Sequence, residues 1–280
     1  MTSAARLRPA TGRGGVRQVL SDSSIVTWRI LKRIPRIPEL AIFGILQSIM
    51  FVVLFAFVFG GAIPIPGSDN PNAYREFLMP GIFAQTIVFA AGGTAIAMTD
   101  DVSKGLIDRF RSLPMTRSAV LIGRTLADVI YNAGILIVLI VSGLVVGWTV
   151  RAGIVDFLAG VGLLLLFAYA MAWLGVWMGL HVPTVEVAQQ VIFTALFPLT
   201  FISNVFVPPQ TLPSWLQGVA EWNPTSTLTA SLRELWGNPN PYASTSFPAQ
   251  EPILVTLIWV VGVIAIFAPL ATRRYRSMSR

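Results

Sequence analysis

The sequence predicts an all-α, polytopic membrane protein with six transmembrane helices, and three observations predict it. Of its 280 residues, 54% are hydrophobic and only 12% charged, where a soluble domain carries about 25% charged residues. Six stretches reach the roughly 20 apolar residues that a helix needs to cross a bilayer. They run over Leu40–Gly61, Phe77–Met98, Ala119–Trp148, Ile154–Leu180, Ala188–Val207 and Pro252–Ala271. Seventeen of the 20 basic residues fall on one side of that arrangement. They sit before the first span, between spans two and three, and in the tail. Only Arg75, Arg151 and Arg233 fall on the other side. Basic flanks mark the cytoplasmic face, so both termini are expected there, as an even number of spans requires. The net charge of +7 is thereby explained by topology, without a nucleic-acid partner.

Residues 1–16 are rich in Arg and Gly and lack an apolar run. They read as a mobile cytoplasmic tail rather than a signal peptide. Residues 17–38 are too charged to cross. On a helical wheel Arg29, Lys32, Arg33 and Arg36 fall within an arc of about 100°, opposite Leu20, Trp28, Ile30, Leu31 and Ile34. This is the pattern of an interfacial amphipathic helix, its apolar face among lipid headgroups and its basic face toward anionic lipid. Pro35 and Pro38 end it. It admits two readings, a membrane anchor or a lever that touches a cytoplasmic partner.

Residues 39–271 form the six-span domain. Between spans two and three, Val102, Leu106, Phe110 and Leu113 repeat at helical spacing and make one apolar stripe, with Lys104, Asp108 and Arg111 opposite. A helix is predicted over about 101–114. Asp100 and Asp101 are placed at its start, where acidic groups oppose the dipole, and Pro114 at its end. A short two-faced helix at the cytoplasmic end of two spans suits force transmission from a soluble subunit. The third apolar stretch is too long for one crossing, so its first turns are expected at the cytoplasmic interface. There Arg124 and Asp128 share a face and are expected to pair as a structural ion pair.

Gly175 and Gly179, four apart in the fourth span, suit close helix approach. Pro198 interrupts the fifth span, with Thr194, Thr200, Ser203 and Asn204 around it. These small polar groups either satisfy freed carbonyls or line a pathway, so Pro198, Thr200, Ser203 and Asn204 are the pathway or gate candidates. The external segment, about 208–250, carries Trp215, Leu216, Trp222, Leu228, Leu232, Leu235 and Trp236. It is expected to form short re-entrant helices in the outer leaflet, where tryptophan is favoured. Residues 272–280 form a basic cytoplasmic tail.

Cysteine is absent and His181 is the single histidine, which excludes thiolate chemistry and a multi-His metal centre. No G-x-x-x-x-G-K-[ST] loop occurs, so the chain is not expected to bind or hydrolyse ATP. One histidine and scattered acids disfavour a membrane-embedded lipid-modifying enzyme. Nearly uncharged spans disfavour an ion-coupled carrier, which places ionisable groups at mid-membrane.

The run from Lys104 through Gly105, Leu106, Ile107, Asp108, Arg109, Phe110, Arg111, Ser112, Leu113 and Pro114 to Asp128 resembles the signature of type-2 ATP-binding-cassette exporter permeases. More closely it resembles the actinobacterial daunorubicin-resistance-type permeases. Ser203 to Pro224 is similar to that family's external segment after span five, and Tyr74 to Gly81 to its lead-in to span two. Leu106 stands where most of the wider family has threonine. The resemblance implies a bacterial plasma-membrane subunit that pairs with a second permease copy and with cytoplasmic ATPase subunits, which carry ATP and Mg. It implies export of a hydrophobic or amphipathic drug or lipid. It also implies that Lys104, Gly105, Leu106, Asp108, Arg109, Phe110, Arg111, Leu113 and Pro114 form the ATPase-coupling helix, and that Trp28, Arg29, Lys32, Arg33 and Arg36 belong to the interfacial helix.

Overall fold

A computed structural model describes residues 15–33, 38–59, 73–106, 116–206, 210, 212–240 and 244–278. The described elements are all helical: α1 (Val16–Arg33), α2 (Pro38–Val53), α3 (Ala73–Ser103), α4 (Arg117–Val146), α5 (Ile154–Gly179), α6 (Val185–Phe201), α7 (Ser214–Trp222), α8 (Pro224–Trp236), α9 (Phe247–Gln250) and α10 (Pro252–Ser277). α2 runs on as a π-helical segment, Leu54–Phe59. Among the described residues, α3, α4, α5 and α10 are long and apolar enough to cross a membrane. α6 is apolar but has 17 residues, and α2 has 16 before its π-helical extension. The chain is therefore a multi-pass membrane protein with four full-length spans and two shorter apolar helices in the remaining predicted positions.

α3 is the central helix. Two thirds of its apolar window is buried within the chain, 67% against 22% for α10, because α5, α6 and α8 all pack on it. Glycine permits the closest of these approaches. A Cβ at Gly175 would collide with the carbonyl oxygen of Ala91 and with Thr94, and one at Gly179 with the carbonyl of Ala95. The Gly-x-x-x-Gly pair thus joins two helices of one chain, at backbone contact. Thr99 closes the same seam, donating to the Gly179 carbonyl at 3.2 Å.

α8 sits among α3, α5 and α10. It is a short helix buried on nearly every side, including Thr225, Ser226, Thr227, Thr229 and Ser231. Asn223 caps its start by accepting from the Thr225 amide at 2.8 Å, and Pro224 follows at the first position. Gly237, at φ 65, ends it in the left-handed conformation that glycine adopts without penalty. Polar residues tolerate this burial because Thr229 and Ser231 donate to the carbonyls of Thr225 and Thr227, one turn back, at 2.7 and 2.8 Å. Within the segment expected to be re-entrant, α7 buries only Ala220, while α8 is thus an internal plug among the other helices. At its end an aromatic cluster of Phe83, Trp148 and Trp236 meets edge to face, with centroids 5.2–5.5 Å apart. The Trp148 indole donates to Asn238 at 3.0 Å.

One expectation needs correction. Asp100 and Asp101 do not open a helix at 101, because α3 continues through both to Ser103. Gly105, at φ 65, then turns the chain, with its amide donating to the Val102 carbonyl at 3.0 Å. Lys104-Gly105 is thus a helix stop, and the amphipathic stripe drawn from Val102 onward crosses a break. Arg233, predicted on the side opposite the basic flanks, is almost wholly buried on α8.

Candidate coupling and translocation sites

The stems that flank residues 107–115 are tied together by charge. Lys104 Nζ lies 2.7 Å from Asp100. Arg124, one tenth exposed, reaches Asp101 on α3 through Nη1 and Asp128 on its own helix through Nε, both at 3.2 Å. Asp101 sits in the last turn of α3, where a carboxylate opposes the negative helix end. The Arg124 guanidinium offsets that conflict and joins α3 to α4. The Arg124–Asp128 pair expected from sequence is therefore part of a three-residue bridge between helices. Of the coupling residues, Lys104, Gly105 and Leu106 are described. Asp108, Arg109, Phe110, Arg111, Leu113 and Pro114 lie outside the described residues.

α1 lies against α4. Trp28 is 62% exposed, Arg29 and Lys32 are exposed beside it, and Lys32 Nζ sits 5.0 Å over the Trp28 ring. Arg33 is the last residue of α1, and Arg36 lies outside the described residues. The inner face of α1 is a set of residues that the amphipathic wheel passes over: Ser23, Val26 and Thr27, all buried. Thr27 donates to the Gly123 carbonyl at 3.0 Å. Asp22 accepts from the amide and hydroxyl of Thr116 at 2.9 and 3.2 Å. Helical periodicity scored for hydrophobicity cannot find this face, because two of its three residues are hydroxyl side chains. The small Gly123, on the second turn of the next basic-flanked helix, was the available signal.

At the other end, Thr200 and Ser203 are buried, at 0% and 1% exposure. Their hydroxyls donate to carbonyls of their own chain turn, Thr200 to Leu196 and Phe197 at 3.0 Å, and Ser203 to Thr200. The Asn204 amide donates to Ser226 on α8 at 2.9 Å, and its carbonyl accepts from Arg233 at 3.2 Å. The Thr200 and Ser203 hydroxyls thus close their own turn, Asn204 links the chain just past α6 to α8, and Pro198 alone of the four candidates is exposed. Glu76, Thr149 and Arg151 form a second tie, with Thr149 donating to Glu76 at 2.9 Å and Arg151 Nη2 lying 2.8 Å from Oε2 of the same carboxylate.

α6 touches α3 by one row, Ala188, Ile192, Leu196 and Thr200. The opposite side is open: Glu186, Gln190, Phe193, Phe197 and Phe201 are all exposed. The phenylalanines stack, Phe193 on Phe197 at 4.9 Å and Phe197 on Phe201 at 4.2 Å. The run continues through Phe206 at 5.5 Å and Phe55 at 4.6 Å to Phe51 at 5.9 Å, joining α6 to α2. A helix face that combines a carboxylate, an amide and an aromatic ladder is poorly matched to bare lipid.

Comparison with known proteins places this arrangement. The chain matches the family described as ABC-2 type transporter over residues 23–235. It is 30% identical over 250 residues to a daunorubicin resistance ABC transporter permease protein of Streptomyces coeruleorubidus, covering 89% of this chain and 84% of the relative. It is 25% identical over 256 residues to a probable doxorubicin resistance ABC transporter permease protein of Mycobacterium tuberculosis, covering 91% and 88%. It is also 25% identical over 223 residues to a putative transport permease of Cyanophora paradoxa, covering 78% and 75%.

Proposed function

The chain belongs to the ABC-2 type transporter family, and from that premise we propose that it is the membrane subunit of an ATP-driven exporter for a hydrophobic or amphipathic molecule, a drug or a lipid. Its relatives carry drug-resistance permease names, and that match is the observation that carries the reading. In this reading ATP and Mg are bound by a separate cytoplasmic ATPase, for which the chain itself has no phosphate loop. The subunit lies in a bacterial plasma membrane with both termini cytoplasmic, as its basic flanks favour.

The ATPase docks on residues 104–114, and closure of its nucleotide sites pushes on α3 and α4 through Arg124. A second permease copy, identical or related, covers the open face of α6 and α2. The aromatic ladder of Phe193, Phe197 and Phe201 supplies an uncharged wall along that contact, which suits cargo that cannot bring an unpaired charge into the membrane.

Co-expression with an ATP-binding-cassette ATPase from the same source, followed by purification and an ATPase assay with and without Phe110→Asp, tests this reading. The complex is expected to form, and the substitution to dissociate or uncouple it. A chain that purifies alone from membranes containing the ATPase overturns the exporter reading and reopens the ion-coupled carrier.

A further inference from the structure

Thr116 immediately precedes α4 and follows the last coupling residues. As the residue that caps α4 it makes no side-chain bond to the helix. A carboxylate from a helix 94 residues earlier takes that place, with one Asp22 oxygen holding both the amide and the hydroxyl of Thr116. A negative charge at a helix N-terminus is favoured by the dipole, and hydrogen bonds to a carboxylate are stronger than neutral ones. Asp22 thus fastens α1 to the start of α4 at one defined point.

The next turns leave no room for sliding. A Cβ on Gly123 would stand 2.7 Å from Val26 Cβ and 2.8 Å from the Ser23 carbonyl oxygen, so the two helices meet nearly backbone to backbone. Thr27 bonds both the Ser23 carbonyl and the Gly123 carbonyl, at 2.8 and 3.0 Å, and locks the rotation that close packing would otherwise allow. Surfaces packed this tightly move as one body or separate; they do not shear gradually.

We propose that α1 and the first turns of α4 form one rigid lever, with Asp22 as the positioning residue that passes displacement of the coupling segment to the interfacial helix. The proposal rests on the exporter reading and decides between the two roles open to α1: it is a driven part, not an anchor. ATP binding by the partner therefore moves Trp28, Arg29 and Lys32 across the membrane surface together with α4.

The chain has no cysteine, so introduced pairs report only themselves. The purified complex with its ATPase, in lipid nanodiscs, is the material. Asp22→Cys with Thr116→Cys, bridged by a short bis-thiol reagent, is expected to hydrolyse ATP at the unbridged rate; arrest on bridging overturns the proposal, since it means the two helices part during the cycle. Spin labels at Leu20→Cys on α1 and Leu126→Cys on α4, each measured against Val261→Cys on α10, are expected to shift together on trapping with ATP and vanadate. Asp22→Ala is expected to abolish the shift at position 20 and keep that at 126. Asp22→Asn, which retains an acceptor for the Thr116 amide, restores both. A fixed position 20 in the unmutated complex overturns the lever, and an unaltered joint shift in Asp22→Ala overturns the role of Asp22 within it. If the unmutated complex hydrolyses no ATP, the exporter reading itself fails, and the lever with it.

Discussion

The Arg233 guanidinium lies 3.7 Å from the centre of the Phe77 ring and donates to the main-chain oxygen of the same residue at 3.0 Å. One arginine on the plug helix α8 thereby grips both the side chain and the backbone at the start of α3. Its other end reaches Asn204, just past α6. Three segments far apart in sequence are pinned at one point. Such a group contributes chiefly by leaving nothing unpaired, and its removal exposes two buried carbonyls at once.

Arg233→Ala is accordingly expected to destabilise the folded chain by about 3 kcal/mol, taking roughly 1.5–3 kcal/mol for each hydrogen bond to a charged group and allowing for relaxation. Arg233→Lys is not expected to rescue it, because a point-like ammonium cannot stack flat on Phe77 while bonding two divergent carbonyls. Thermal unfolding of the purified protein in detergent checks both variants.

Glycines at different places in the same helices are expected to behave oppositely. Gly175→Ala and Gly179→Ala drive a methyl group into backbone carbonyls of α3, and should lower the yield of folded protein sharply. Gly93→Ala and Gly162→Ala meet nothing within 4 Å and should be neutral or stabilising by up to about 1 kcal/mol, the usual helix gain over glycine. Size-exclusion profiles after solubilisation separate the two classes.

Arg124→Gln removes the charge between Asp101 and Asp128 and leaves a carboxylate at the unfavourable end of α3. In the exporter reading the stems of the coupling segment then move independently. ATP hydrolysis by the complex is expected to continue while the linked movement of α3 and α4 is lost. Arg124→Lys retains the charge but not both contacts, so an intermediate result is expected. Paired labels on the two helices, read with and without ATP, give the measurement.

The open face of α6 makes a prediction about assembly. In a chain without native cysteine, Phe193→Cys and Phe197→Cys are expected to yield disulfide-linked pairs of permease chains in membranes on mild oxidation. Val261→Cys, exposed on α10, is expected to remain monomeric under the same treatment. Non-reducing gels decide, and linkage through position 261 rather than 193 or 197 would move the contact to another face.

Sequence and structure agree where one physical effect dominates. The long spans were legible because apolar runs of that length have no other stable use. The Arg124–Asp128 contact was legible because four residues bring two side chains onto one helix face. Asp101 was misplaced because a carboxylate beside a helix boundary was read as a start signal, although Lys104-Gly105 marked the stop. The depth of α8 was not legible, because Thr-Ser-Thr-Leu-Thr-Ala-Ser is polar by composition, while in the structure Thr229 and Ser231 donate to carbonyls one turn back. The inner face of α1 was hidden because it rests on Gly123, a residue whose contribution is the absence of a side chain.

The glycine seam between α3 and α5 also bears on how such proteins diverge. Where two backbones touch, every larger residue is rejected on one helix unless its partner retreats, so this part of the sequence is frozen in pairs. α6 meets its neighbour within the chain through one row of four side chains, and its other side makes no such backbone contact there. Inherited changes in what the protein carries are therefore expected to accumulate one residue at a time along Gln190, Phe193, Phe197 and Phe201, over an axle that scarcely changes.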